Sequence, residues 1–156
     1  MELKIKRLRE EAVLPFYATS GAAGMDLTAV CPGGSITIAP MERALIPTGI
    51  AIELPDAGHV ALLFARSSLG VKRGLSLPNG VGVIDSDYRG EIHVALVNLS
   101  GEPVQIYTGE RIAQLVIMPV TQVLPVEVKE LGQTQRGEGG FGSTGLTANA
   151  AQGETT

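Results

Sequence analysis

Twenty glycines and nine prolines punctuate the 156 residues of this chain, and no other feature restricts its fold as much. Glycine raises the entropy cost of ordering the backbone and proline removes a donor, so long helices are broken and short strands joined by turns are favoured. Between the turn signals lie alternating or β-branched runs: residues 3–8 (LKIKRL), 35–38 (SITI, after Pro32-Gly33-Gly34), 43–47, 50–54 (IAIEL), 59–64 (HVALLF), 91–98 (EIHVALVN), 112–120 and 123–128. They recur roughly every 8–12 residues, the spacing of an all-β sandwich or barrel. One short helix is predicted, capped by Ser67, running through Lys72 and stopped by Gly74. The expected fold is a single antiparallel β-domain of jelly-roll type.

Composition narrows the function classes. Hydrophobic residues make up 44% and charged residues 18%, so the bulk of the chain carries enough apolar area to fold. A length near 150 residues buries about 68–70% of the unfolded surface without staples. The net charge is −4, which supplies no cation surplus for sequence-independent binding of duplex nucleic acid. The apolar runs VALLFA and LVIMPV are too short to span a bilayer. The N-terminus MELKIKRLREE has no apolar leader, and the single cysteine, Cys31, fits a reducing compartment. These readings predict a cytoplasmic protein with neither a nucleic-acid nor a membrane partner. On the same ground the sequon Asn98-Leu99-Ser100 is read as coincidental.

The C-terminal stretch differs. Residues 132–156 are rich in glycine and poor in aliphatics, too apolar-poor to hold themselves folded. They read either as a disordered tail or as an arm that orders over a ligand. In the second case glycines would let backbone N–H groups approach phosphate oxygens. Arg136 would add charge, Ser143 and Thr144 hydroxyls, and Phe141 a stacking face.

Four further constellations carry possible chemistry, each with a plainer alternative. Asp26, beside Gly24, could take hydrogen bonds from water on a Mg²⁺ ion, or be a turn or strand-end aspartate. Arg66-Ser67-Ser68-Leu69-Gly70 combines a cation, two hydroxyls and a helix start, which suits a phosphate or simply a short helix with a surface arginine. Residues 79–90 read as a Gly- and Asp-rich hairpin whose backbone, with Asn79, could read a planar base edge. Within it Asp85 follows an apolar run. Partial burial there would raise its pKa from about 3.9 toward values suited to a general base. Tyr88 would form a wall of the same pocket, although an ordinary Asp-rich turn is equally written in these residues. Finally, alternation puts Ile112 and Gln114 on one face of a strand and Arg111, Ala113 and Leu115 on the other. A buried Gln114 needs a backbone or ligand partner. The histidines show no zinc spacing, and neither a Walker A loop nor GxSxG is present.

AGMDL (23–27), ARSSLG (65–70), GVIDSDYRGEI (82–92), GERIAQLVI (109–117) and RGEGGFGSTG (136–145) resemble the five ordered motifs of the trimeric dUTP pyrophosphatases, or dUTPases. Each motif is weak alone, but all five stand in order with appropriate gaps. The resemblance implies a distorted jelly-roll, or β-clip, domain over residues 1–131. It implies a flexible arm over 132–156, with a closing motif at 136–145 and a disordered tail at 146–156. It implies a homotrimer whose three sites are each shared between subunits. The implied reaction is Mg²⁺-assisted hydrolysis of dUTP to dUMP and pyrophosphate, keeping uracil out of DNA and supplying dUMP for thymidylate synthesis. Asp85 would activate the water that attacks the α-phosphorus. Tyr88 would pack on the deoxyribose, and Asn79 with Gly80, Val81, Gly82 and Val83 would read uracil. Arg66, Ser67, Ser68, Gly70 and Gln114 would hold phosphates. Asp26 would order water around a metal carried mainly by the phosphates. Arg136, Phe141, Gly142, Ser143 and Thr144 would close over the site, Phe141 on the uracil. The related dCTP deaminases resemble this family in fold but use a glutamate where this chain has Ala95, and residues 92–98 contain no acid. A third class, a β-domain that binds nucleotide without hydrolysing it, has intact Asp85 and Tyr88 against it.

Overall fold

The computed structural model describes residues 1–141 and residue 143. Short runs of β-branched and aliphatic residues form eleven strands there: β1 (Lys4–Arg7), β2 (Met25–Thr28), β3 (Ser35–Ile38), β4 (Arg43–Pro47), β5 (Ile50–Glu53), β6 (His59–Ala65), β7 (Leu75–Ser76), β8 (Gly82–Ile84), β9 (His93–Asn98), β10 (Val104–Tyr107) and β11 (Arg111–Pro119). The one α-helix among the described residues is α1 (Ser67–Arg73), and a 3₁₀ turn spans Pro32–Gly34. The domain is therefore all-β with little helix. Its described residues contain no helix long and apolar enough to cross a membrane.

Every strand pairing is antiparallel. The longest strand, β11, is the seam of a four-stranded sheet ordered β2-β11-β6-β8. A three-stranded sheet is ordered β4-β9-β7, and two ribbons pair β1 with β5 and β10 with β3. The inward faces of these sheets meet in a core that includes Leu27, Ile46, Leu96, Ile106, Ile112 and Leu115. Each such side chain contributes about 1.5–3 kcal/mol by leaving water.

The chain divides into two units, Met1–Gln122 and Val123–Thr156. All the strands lie in the first. The strand expected at 123–128 does not form: Val123, Leu124, Val126 and Val128 are all exposed. Alternation alone does not make a strand without a ladder partner, and Pro125 removes one donor. The turn and alternation signals do not announce β7 or β10, and they leave Asp26 in β2 equally consistent with a turn and a strand end. The expected hairpin at 79–90 is also not a ladder. β8 pairs with β6 and β9 pairs with β4 and β7, so the intervening loop crosses between sheets. The helix does end at Gly74, which adopts a left-handed φ of 66° and donates to the carbonyls of Gly70 and Leu69. Ser67 does not cap it. The cap position is Arg66, without a side-chain hydrogen bond, and Ser67 is the first helical residue.

Two polar networks lock the loops to this frame. Fully buried Asn98 donates from Nδ2 to the carbonyls of Ile38 and Glu102 at 2.9 and 2.8 Å, and its Oδ1 accepts from the Ser100 N–H and hydroxyl. The sequon asparagine is thus inside the fold with its amide fully engaged. Elsewhere, Glu91 Oε1 accepts from Arg9 Nε at 3.0 Å and from the Gly49 N–H at 2.9 Å, while Oε2 accepts from Arg9 Nη2 at 3.1 Å. The hydrogen bonds from Arg9 are the main reason the Glu91 carboxyl sits below the usual carboxylate range, against the opposing effect of partial burial.

Replacing Asn98 by Ala removes the side-chain donor to the buried Ile38 carbonyl and the acceptor of the Ser100 N–H, so the Asn98→Ala variant should lose roughly 2–3 kcal/mol in urea unfolding. Because the folded pKa of Glu91 is depressed, its stabilisation is present above the unfolded value of about 4.3 and lost as pH falls through the folded one. Acid unfolding of Glu91→Gln should accordingly show a shallower stability decline below that pH than the parent chain shows.

Candidate active site

The loop between β8 and β9 and the turn before β8 create a cleft. Leu77, Pro78, Asn79 and Gly80 form a turn closed by the Gly80 N–H on the Leu77 carbonyl at 3.0 Å. The chain then enters β8, held in register with β6 through Ala61–Ile84 and Leu63–Gly82. A Cβ at Gly82 would lie 2.9 Å from the Leu63 Cβ, so the close approach of β8 to β6 requires glycine. Asp85 is the first residue beyond this strand, and its carbonyl accepts from the Tyr88 N–H at 3.2 Å. A cavity of about 330 Å³ results, lined by Asn79, Gly82, Val83, Asp85 and Tyr88. Gly80 and Val81 are exposed in the approach to β8 and do not line it.

Asp85 itself is exposed. The partial burial expected from the preceding apolar run is not supplied by its own chain, because Asp85 leaves the sheet one residue after buried Ile84. The cleft also contains residues that the sequence reading missed: Leu45, Glu91, Ile92 and His93. Leu45 comes from β4 and reaches this place only through the β4–β9 pairing. His93 carried a weak signal, a polar residue in an apolar alternation.

A second group forms where β2, β11 and β6 run side by side. Asp26 stands in register with Gln114, and Gln114 with Phe64. Asp26 is 2% exposed, so its charge is almost completely removed from water. Two guanidinium groups offset that cost: Arg111 Nη1 donates to Oδ2 at 2.9 Å, and Arg66 Nε approaches Oδ1 at 3.0 Å. The Arg66 contact is an ion pair without hydrogen-bond alignment, which leaves Oδ1 and Nε buried and without a hydrogen bond. Formally one positive charge remains beside the exposed side chains of Ser67 and Ser68. Half-buried Gln114 shares the face of Asp26. The N–H of Gly70 is committed to the Arg66 carbonyl at 3.2 Å.

Strict alternation along 111–115 does not hold. A register shift between Arg111 and Ala113 breaks it, so Ile112, Ala113 and Leu115 are all buried while Arg111 reaches Asp26. Such a bulge re-aims a side chain, and sequence period does not announce it. The cleft lining includes no residue of α1 or β11. The chain therefore gathers the predicted site residues into two groups, one around Asp85 and one around Asp26.

In the second unit the predicted closing residues make local turns. Arg136 Nε donates to the Gly139 carbonyl at 2.7 Å, and the Ser143 N–H donates to the Gly140 carbonyl at 3.0 Å. The Phe141 ring is fully exposed. Gly142 and Thr144 lie outside the described residues. Among the described residues no cluster of three or more His, Cys, Asp or Glu side chains could hold a metal ion.

Known proteins resemble this chain over most of its length. A deoxyuridine 5'-triphosphate nucleotidohydrolase of Hydrogenobaculum sp. is 57% identical over 146 residues, covering 94% of this chain and 99% of that protein. A mutant dUTPase of Staphylococcus bacteriophage 80alpha, solved with dUpNHpp, superposes with a TM-score of 0.82 at 29% identity, covering 93% of this chain and 99% of the other. A mutant dUTPase from phage phi11 of S. aureus, whose structure concerns the coordination of a structural Mg(II) ion, gives a TM-score of 0.75 at 26% identity over 85% of this chain and 100% of the other. The sequence profile of the dUTPase family matches residues 10–145, and the chain belongs to that family.

Proposed function

We propose that this chain hydrolyses dUTP to dUMP and pyrophosphate, and that Asp85 is the base. The observation that carries this reading is the shared cleft of Asp85, Tyr88 and Asn79 in a chain of the dUTPase family. A water oxygen attacks the α-phosphorus while its proton passes to the Asp85 carboxylate. The bond from that phosphorus to the bridging oxygen breaks, and pyrophosphate leaves with the bond's electron pair. No covalent intermediate is needed. Asn79 with the backbone of Gly80, Val81, Gly82 and Val83 reads the uracil edge, and Tyr88 lies against the deoxyribose, where a 2′-hydroxyl would collide. The product supplies thymidylate synthesis, and removal of dUTP keeps uracil out of DNA.

The group around Asp26 suits the triphosphate. Arg66 supplies charge, the hydroxyls of Ser67 and Ser68 and the amide of Gln114 supply donors, and Gly70 in the first turn of α1 lies with them against the phosphates without a side chain of its own. Phosphoryl displacement depends on such positioning and charge neutralisation more than on covalent chemistry. Mg²⁺ fits here as a metal–nucleotide complex rather than as a protein-held ion. The described residues offer no ligand cluster, and Asp26 is already paired with two arginines. Asp26 Oδ1 lacks a hydrogen bond, and water on the metal is a donor that would supply one. Bound to the phosphates, the ion would withdraw negative charge from the reacting oxygens.

Three copies of the chain, in a jelly-roll trimer, complete each site. The separation of the two groups within one chain and the exposure of Asp85 support this arrangement, with the Asp85 cleft of one copy facing the Arg66 group of another. The arm, through Arg136, Phe141, Gly142, Ser143 and Thr144, closes over the nucleotide and excludes bulk water.

Two measurements test the assignment. Asp85→Asn should retain dUTP binding while turnover falls by about 10²–10⁴-fold; unchanged turnover removes Asp85 from the mechanism. Separately inactive Asp85→Asn and Arg66→Ala chains, unfolded and refolded together, should regain dUTP hydrolysis, because a mixed assembly pairs an intact cleft with an intact arginine group. A mixture as inactive as its components, with both variants folded by circular dichroism, means that each chain holds a complete site.

A further inference from the structure

Tyr88 is 45% exposed, so core packing does not set its ring. Its neighbours do. A Cβ on Gly90 would lie 2.3 Å from the Tyr88 hydroxyl oxygen and 2.5 Å from Cζ, so the ring lies directly over the bare backbone of Gly90. The hydroxyl donates to the Glu91 carbonyl at 3.0 Å. That carbonyl shares a peptide plane with the Ile92 N–H, which donates to the Ile50 carbonyl at 2.8 Å. The other end of the residue is held by its side chain, through the two-pronged contact with Arg9 and the bond from the Gly49 N–H. Arg9 is itself tied to the same turn, since the preceding Leu8 N–H donates to the Gly49 carbonyl at 2.7 Å. An arginine near the N-terminus, 82 positions from Glu91 in sequence, thus buttresses the residue that receives the Tyr88 hydroxyl.

We propose that Arg9 is a positioning residue for Tyr88. By clamping Glu91 it fixes where the phenol ring stands, and through that ring it sharpens the discrimination between deoxyribonucleotide and ribonucleotide triphosphates. The guanidinium does not line the cleft, so its action is indirect. A planar fork suits the task because two parallel hydrogen bonds fix orientation as well as distance. This inference rests on the reading of Tyr88 as the wall against the sugar.

The test compares kcat and KM for dUTP and for UTP, with Mg²⁺ present, in the parent chain, Arg9→Gln, Tyr88→Phe, Tyr88→Ala and the Arg9→Gln/Tyr88→Phe double variant. A hydrogen-bond-sized loss in Arg9→Gln should lower the dUTP-over-UTP ratio of kcat/KM about fivefold. Tyr88→Phe, which removes the donor to Glu91, should lower it similarly. The double variant should be no less selective than the weaker single, because both substitutions break one linkage. A merely structural role would lower turnover of both substrates together and leave their ratio alone. Should Arg9→Gln fail to fold, Arg9→Lys, which keeps the charge but loses the fork, is judged by the same ratio. An unchanged ratio in the folded Arg9 variant, alongside a reduced one in Tyr88→Ala, overturns the proposal while sparing the reading of Tyr88. An unchanged ratio in Tyr88→Ala overturns both.

Discussion

A carboxylate removed from water must be met by opposite charge, and the seam of β2, β11 and β6 is organised around that requirement at Asp26. Losing one partner of such a buried ion group costs about 3–5 kcal/mol, because the remaining charge is stranded. Arg66 and Arg111 are therefore held where Asp26 needs them. Their placement has consequences beyond stability. Arg66 is the last residue before α1, so pinning it sets where Ser67 and Ser68 are presented. Arg111 reaches Asp26 across the bulge in β11, which also sets the face on which Gln114 stands. One buried charge thus orders a cation, two hydroxyls and an amide.

The Asp85 cleft is built on a different principle. Its residues lie on turns and strand ends, positioned by a rigid frame, as binding residues commonly are. Gly82 lets β8 come close to β6, and this determines where Asp85 leaves the sheet. The far wall depends on the loop that carries Tyr88 and Gly90 into Glu91. That loop is fastened to the β4–β5 turn and to the N-terminal segment by charge-assisted hydrogen bonds. The two groups thus rest on separate anchors, and a shared site between copies would bring those anchors into one reaction.

Strands bounded by clear turn signals were legible with nearly their observed limits: Ser35–Ile38 and Arg43–Pro47 coincide with the alternating runs, and His59–Ala65 extends its run by one residue. Gly74 was legible as a helix stop because its left-handed φ suits glycine. The failures have equally local causes. The 123–128 run has the alternation of a strand but a proline and no ladder, whereas β10 is a strand whose flanks carry few apolar signals. Ser67 has the chemistry of a cap, yet the helix begins at that residue because Arg66 is drawn toward Asp26. In the candidate site, the residue types were legible from the motifs, but an apolar run says nothing about where the chain turns out of the sheet, and within its own chain Asp85 is exposed.

By itself the sequence determined an all-β chain cut into short strands, the family to which it belongs and the side chains available for chemistry. Glycine, proline and alternation act over a few residues, and that reach is enough to choose elements. Only the tertiary structure decided that Asp26 lies between two arginines, one just ahead of α1 and one at the start of β11, that residues 79–90 cross between sheets instead of pairing, and that Arg9 meets Glu91. Each depends on register and on contacts between segments far apart in the chain. Such contacts form because buried charges and backbone groups must find partners, and no local pattern specifies which partner that is.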